Sequence, residues 1–263
     1  MNIRYTLGCL ARIPLLPLMY YQGKQIRARV PRLPEATGTE GFAEPGKATS
    51  KTIRLLSVGE STIAGVGVHT HEEGFTGALA RLLAEALKAV VHWKVYARSG
   101  YTAARVAGSI VPAMTDETVN LIVIGLGGND AFTLRSPRQW RRDIRRLIEG
   151  LQAKYPQALI VFCNMPPIKE FPAFTPLIRF TIGNLVEILG QELMATVKDY
   201  NNVYYAEETI SLPEWVARYE LDQDVKAFFS DGVHPSGLTY RTWARDLASR
   251  VIIDKLLPSL ARE

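Results

Sequence analysis

Cysteine is scarce in this chain: Cys9 and Cys163 are the two present among 263 residues, too few for a disulfide framework or a four-ligand zinc site. A clean apolar run of the ~20 residues that a membrane-spanning helix needs is also missing. The greasiest stretch, Tyr5 to Tyr21, carries Arg12 at its centre and is interrupted by Pro14 and Pro17. It therefore lacks the unbroken core of a secretory leader, and Cys9 behind Thr6-Leu7-Gly8 lies too near the start for a lipoprotein site. The expected location is cytoplasmic, or peripheral at an inner membrane, rather than secreted. Internal repeats are absent. A general basic surplus is absent too. The net charge is +5, but residues 1–54 hold nine basic and three acidic side chains, which leaves −1 for the remainder. A body without basic excess has no nucleic-acid footprint, and no nucleic-acid partner is expected.

What is present fits one soluble domain with a sizeable core: 47% of the residues are apolar and 22% charged, which excludes disorder. Residues 1–51 read as an N-terminal arm and residues 52–263 as the domain. Gln22 to Thr49 is rich in proline, glycine and charge, the composition of a segment that lies extended over a surface or stays mobile. Two readings of the arm stand side by side. It wraps the body, or it makes a membrane-surface contact through residues 1–35, where apolar residues adjoin Lys24, Arg27, Arg29 and Arg32. The run Gly41 to Ala48 has the spacing of a phosphate-binding loop, but Ala48 lacks the hydroxyl that would hold magnesium. The run also precedes the first strand instead of following one, so it reads as chance.

From Thr52 onward, short apolar runs alternate with helical patterns. Ile53–Val58, Trp93–Ala97, Leu121–Leu126, Leu159–Asn164 and Val203–Ala206 read as five strands. Strand–helix repetition requires crossover connections, which predicts an α/β fold with a parallel sheet sandwiched between helix layers. The stretch from Pro137 to Tyr155 shows the helical period, with Trp140, Ile144, Leu147, Ile148 and Leu151 on one stripe. Its arginines (Arg138, Arg141, Arg142, Arg145 and Arg146) read as a solvated face.

Ligands in such folds sit at the carboxyl ends of the strands, and four of those places carry chemistry. The first strand runs into Gly59-Glu60-Ser61-Thr62, where a serine hydroxyl past a glycine turn is placed as a nucleophile near a helix start. It is not a G-x-S-x-G elbow, because Ile63 stands where the second glycine belongs. The second strand ends in Ser99-Gly100-Tyr101 and the third in Gly127-Gly128-Asn129-Asp130, offering an unobstructed backbone N–H and an amide side chain. Near the C-terminus, Asp231-Gly232-Val233-His234 delivers a base and its orienting carboxylate from one loop opening the last helix. Taken singly, each piece has a plainer reading as a cap, a turn or a packed histidine.

In order and placement together, these four blocks resemble those of the SGNH hydrolases, also called the GDSL esterase and lipase family, over about Ile53 to Ala248. The stretch from Asp231 to Tyr240 matches the family's closing block especially closely. The resemblance implies a flavodoxin-like three-layer sandwich around a five-stranded parallel sheet. It also implies Ser61 as nucleophile, His234 as base with Asp231 orienting it, and Gly100, Asn129 and the Ser61 N–H as oxyanion donors. No cofactor is implied, and no metal: His69 and His71 form an H-x-H that no further cluster joins, and they read as exposed polar loop. Glu60 departs from the family's usual Asp and leaves the role of that carboxylate open.

The implied reaction is hydrolysis of small-molecule or lipid acyl esters through an acyl-enzyme. A catalytically silent binding protein, a thioesterase or a carbohydrate O-acetylesterase are the alternatives on the same fold. The loop Met165 to Phe174 is unusually apolar. Pro166, Pro167, Phe171 and Phe174 either wall an acyl pocket or plug the sheet edge.

Overall fold

The computed structural model describes residues 13–207, 210–222 and 224–254; Cys9 and Arg12 lie outside them. Six strands form a single sheet: β1 (Glu40–Ala43), β2 (Thr52–Gly59), β3 (Val90–Ala97), β4 (Leu121–Gly125), β5 (Leu159–Phe162) and β6 (Val203–Tyr205). Their order is β1-β3-β2-β4-β5-β6. The five strands read from the sequence are β2 to β6, and all their mutual pairings are parallel. The sixth, β1, lies antiparallel on β3 at the edge. It comes from the segment read as arm.

Along β2 and β4 successive side chains enter opposite layers, as the two-residue period of a strand requires. Ile53, Leu55, Leu121 and Val123 face one core, and Leu56, Val58, Ile122 and Ile124 face the other. Helices α2 (Phe75–Leu87), α7 (Leu212–Arg218) and α8 (Gly237–Leu247) cover the first core. The second is covered by α3 (residues 103–113), α5 (Pro137–Lys154) and α6 (Pro176–Val197), with the short α4 (Gly128–Phe132) at its rim. Helix α5 starts at a Ser136–Gln139 capping box with Pro137 in its first turn. The fully buried Trp140 ties it to α6 by donating from Nε1 to the Leu189 carbonyl at 2.9 Å. On the other face of α5, Arg141 pairs with Glu192 and Arg145 with Asp199, so this arginine face is knitted to α6 and its C-terminal turn.

The arm departs from its expected extended path. Leu16–Arg29 is a helix, α1, because Pro17 falls in its first turn, where no hydrogen bond is lost, and no proline follows until Pro31. Beyond it the chain is laid on the body. The Ala36 N–H donates to the Ala64 carbonyl at 2.9 Å, and the Thr37 carbonyl accepts from His71 N–H at 2.9 Å. His71 is accordingly buried at 3% exposure, not exposed as its loop position implies, and burial lowers its pKa. Gly41 to Ala43 of the phosphate-loop look-alike are strand, and Gly46 N–H donates to the Glu85 carboxylate at 3.0 Å, a contact hostile to phosphate.

Candidate active site

The carboxyl ends of β2, β3 and β4 lie side by side, with Gly59 in register with both Ala97 and Gly125. Ser61, Gly100 and Asn129 follow those three ends within a few residues. The approach of β2 and β4 is close: a Cβ on Gly59 would stand 2.2 Å from the Gly125 carbonyl oxygen. Ile63, the residue that breaks the G-x-S-x-G pattern, lays its side chain over both glycines. After Ser61 the chain makes a run of turns through Gly67 rather than the helix start expected there, and α2 begins only at Phe75.

The loop that carries Asp231 and His234 packs on those turns. The buried Tyr240 hydroxyl donates to the Val66 carbonyl at 2.8 Å, and Gly67 sits against the Pro235 carbonyl, which leaves no room for a side chain. Within the loop, Asp231 is fully engaged. One oxygen accepts from Val233 N–H at 2.9 Å and His234 N–H at 2.6 Å, and the other lies 2.7 Å from His234 Nδ1. Burial acts to raise the Asp231 pKa, but the hydrogen bonds from the His234 ring and from the two N–H groups outweigh it and hold the pKa below the usual carboxylate range. With Nδ1–H given to the carboxylate, the neutral imidazole keeps Nε2 as its acceptor. Among the described residues no hydrogen bond joins Ser61 to His234; such contacts often tighten only when substrate binds.

Gly100 adopts φ +80°, and an added Cβ would meet nothing within 4 Å. Conformation, not crowding, calls for glycine there. Asn129 is held from three sides. Its amide Nδ2 donates to the Tyr101 carbonyl at 3.1 Å, its N–H donates to Glu60 Oε2 at 2.9 Å, and its carbonyl accepts from the Thr133 hydroxyl at 2.8 Å.

Glu60 is where sequence reasoning left a gap. Its other oxygen accepts from Gly128 N–H at 2.8 Å, so one carboxylate takes the first two N–H groups of α4. The longer side chain, in place of the family's Asp, spans from the end of β2 to the helix that carries Asn129. Burial pushes its pKa up to about 7, against the lowering effect of those two N–H groups, and the charge of Asp130 pushes the same way as burial. Asp130, completely buried, takes Ala103 N–H at 3.0 Å and thereby holds the start of α3; burial raises its pKa to about 6. The signal for both was an acidic residue flanking a strand-end serine or asparagine, which the sequence offered without showing a partner.

Among the described residues, cavities open at this edge. A small apolar one of about 60 Å³ is lined by Glu60, Thr62, Pro166, Pro167, Phe171 and Val233, among others. A larger groove of about 980 Å³ has Asn129, Phe174 and His234 in its wall. In the loop from Met165, the side chains of Met165, Ile168, Phe171 and Phe174 are buried in the core beside α6, and Pro166, Pro167, Phe171 and Phe174 also border these cavities. Among the described residues no cluster of three or more His, Cys, Asp or Glu is placed to hold a metal ion.

The model of the GDSL-like Lipase/Acylhydrolase family matches residues 57–242. No curated protein matches the chain. Solved structures with the same fold include a family 3 carbohydrate esterase from Clostridium thermocellum, 19% identical, covering 80% of this chain and 100% of that one at a TM-score of 0.59. A lipolytic protein of the G-D-S-L family from Veillonella parvula is 15% identical over 76% of this chain and 98% of that one, with a TM-score of 0.56. An extracellular lipase from Streptomyces rimosus is 15% identical over 75% and 99% of the two chains, at 0.51. With the family's match running from within β2 into α8, the chain belongs to the GDSL-like lipase/acylhydrolase family, hydrolases that act on esters.

Proposed function

We propose that the protein is a serine esterase that cleaves carboxylic acyl esters through an acyl-enzyme on Ser61. His234 accepts the Ser61 proton at Nε2 as the hydroxyl oxygen bonds to the ester carbonyl carbon, and Asp231 fixes the ring and stabilises the imidazolium. The Ser61 N–H, the Gly100 N–H and the Asn129 side chain face the oxyanion. Imidazolium then returns the proton to the departing alkoxide. Water repeats the sequence on the acyl-enzyme, releasing the acid. The observation that carries this reading is the Asp231–His234 pair, whose 2.7 Å contact to a side chain with no solvent exposure leaves one ring nitrogen for the serine. No cofactor takes part in the scheme.

The apolar lining of both cavities favours an acyl chain over a sugar. A fluorophosphonate tests the chemistry, since an activated serine alone reacts: wild type labels stoichiometrically and Ser61→Ala does not. Absence of labelling in the wild type would identify a silent binding protein on the same fold. The arm fits contact with an anionic membrane surface. Leu18 and Tyr21 on α1, which do not line the groove beside His234, are 48% and 60% exposed and share a helical face with Arg29. Among the described residues no helix is long and apolar enough to cross a membrane.

A further inference from the structure

Helix α1 lies outside the residues matched by the family, yet it builds one wall of the 980 Å³ groove into which Asn129 and His234 open. The helix stands off the body. None of its residues is buried, and among the described residues its attachments are the 2.6 Å hydrogen bond from the Thr175 hydroxyl to Gln22 and the packing of Met19 and Ile26 on the core. Leu16, Met19, Tyr20, Gly23 and Ile26, spaced as one helical face, look across the gap at Phe132, Phe174, Ile178 and Ile182. Apolar walls facing each other over an open channel gain stability when an apolar chain enters between them.

Gly23 bears on what the channel is for. A glycine inside a helix costs about 1 kcal/mol relative to alanine. Here neither backbone nor packing asks for one: Gly23 is not among the residues with positive φ, and a Cβ built on it meets nothing within 4 Å. A larger side chain at this point would project into the groove. Charge is the second feature. Among the described residues no Asp or Glu lines the groove, whereas Lys24 and Arg27 do, one turn apart. Both lie in the half of α1 that leads to Glu35, whose carboxylate accepts Ser99 N–H at 2.7 Å beside Gly100.

We propose that this groove is an acyl-chain site built by the chain's own N-terminal helix. Its ligand class is a long-chain acyl ester with an anionic headgroup, the chain lying between α1 and the body and the negative group meeting Lys24 and Arg27. The proposal rests on the ester-hydrolase reading above and adds the substrate class.

The test uses the full-length protein and two substrate series. With p-nitrophenyl butyrate, hexanoate and octanoate, kcat/KM of the wild type rises with length, by up to about fourfold for each methylene buried. Gly23→Leu and Gly23→Trp, checked for folding by circular dichroism and thermal melting, lower the octanoate-to-butyrate ratio at least tenfold, Trp more than Leu. With monoacyl phosphatidylglycerol and phosphatidylcholine of one chain length, the wild type prefers the anionic lipid at low salt. Lys24→Gln/Arg27→Gln removes that preference. A flat length profile in the wild type, or a ratio unmoved by either Gly23 variant, overturns the groove as an acyl site, and equal rates on the two lipids overturn the anionic headgroup. Fluorophosphonate labelling of Ser61 separates the two levels. An unlabelled wild type sinks the esterase reading, whereas a labelled protein with a flat profile sinks the groove proposal alone.

Discussion

Glu60→Gln isolates the electrostatic cost of the carboxylate that holds α4. In the folded protein its pKa is raised from 4.5 to about 7, chiefly by burial. The folded state therefore binds this proton more tightly than the unfolded chain does. The stability contributed by the protonated form is fully present below about pH 4.5 and is lost as pH rises through about 7. Between pH 5 and pH 8 the linkage relation gives a loss on the order of 2–3 kcal/mol from this one group. Glutamine has nothing to titrate. It keeps one carbonyl oxygen for one of the two N–H groups now held by Glu60, and turns an amide NH2 toward the other, a penalty of about 1–3 kcal/mol that does not vary with pH. The variant is thus less stable than the wild type at pH 5, and the gap closes or reverses by pH 8. Urea denaturation of both proteins at half-unit intervals, with equal m-values, measures the difference directly, and titrating groups that do not couple to Glu60 cancel to first order; Asp130, which couples to it, contributes to the difference. Stability curves that run parallel from pH 5 to pH 8 would refute the account of Glu60 as a buried group ionising near neutrality.

Ser61→Ala abolishes ester hydrolysis and phosphonate labelling while leaving the melting temperature near that of the wild type, since a half-exposed hydroxyl contributes little packing; retained turnover would remove Ser61 from the mechanism. His234→Ala does nearly the same, and the double variant is no worse than either single one, because the pair acts as a unit. Asn129→Ala lowers kcat by about 10² to 10³ with KM almost unchanged, since its donor acts on charge that exists only in the transition state; a pure KM effect would make it a ground-state binding residue. Removing residues 1–33 leaves a folded protein. Removing residues 1–50 strips β1 and the Ala36 and Thr37 contacts from the sheet edge, and lowers the melting temperature sharply or causes aggregation. Equal melting of the two truncations would show that the edge strand contributes nothing.

The strands that hold the site were legible because they are buried on both faces and so appear as continuous apolar runs, as in Leu121–Gly125, where every residue is buried. Edge strand β1 has no such mark. Its four residues, Glu-Gly-Phe-Ala, bury Ala43 alone and read as loop, and their partner β3 is remote in sequence. Helix α1 was obscured by Pro14 and Pro17, which look like breaks until the second is placed in a first turn. At the candidate site, residue types and order single out Ser61, Gly100, Asn129, Asp231 and His234, because each proposed role demands a particular side chain or a glycine. What could not be read was reach. That Glu60 spans to α4, or that His71 lies buried under the Thr37 segment, depends on distances between loops far apart in the chain.

The hydrogen bonds around Asn129 close a circuit: Glu60 beside the serine grips Gly128 and Asn129, the Asn129 amide grips Tyr101, and Asp130 grips the start of the helix that follows it. Three loops from three strands are thereby committed to one another, and a change of length or direction in any of them must be matched in the other two. Laboratory selection for new substrates is expected to spare these loops and to act on the parts that border the site without belonging to the circuit, α1 and the proline-rich loop after β5, where side chains can be exchanged one at a time.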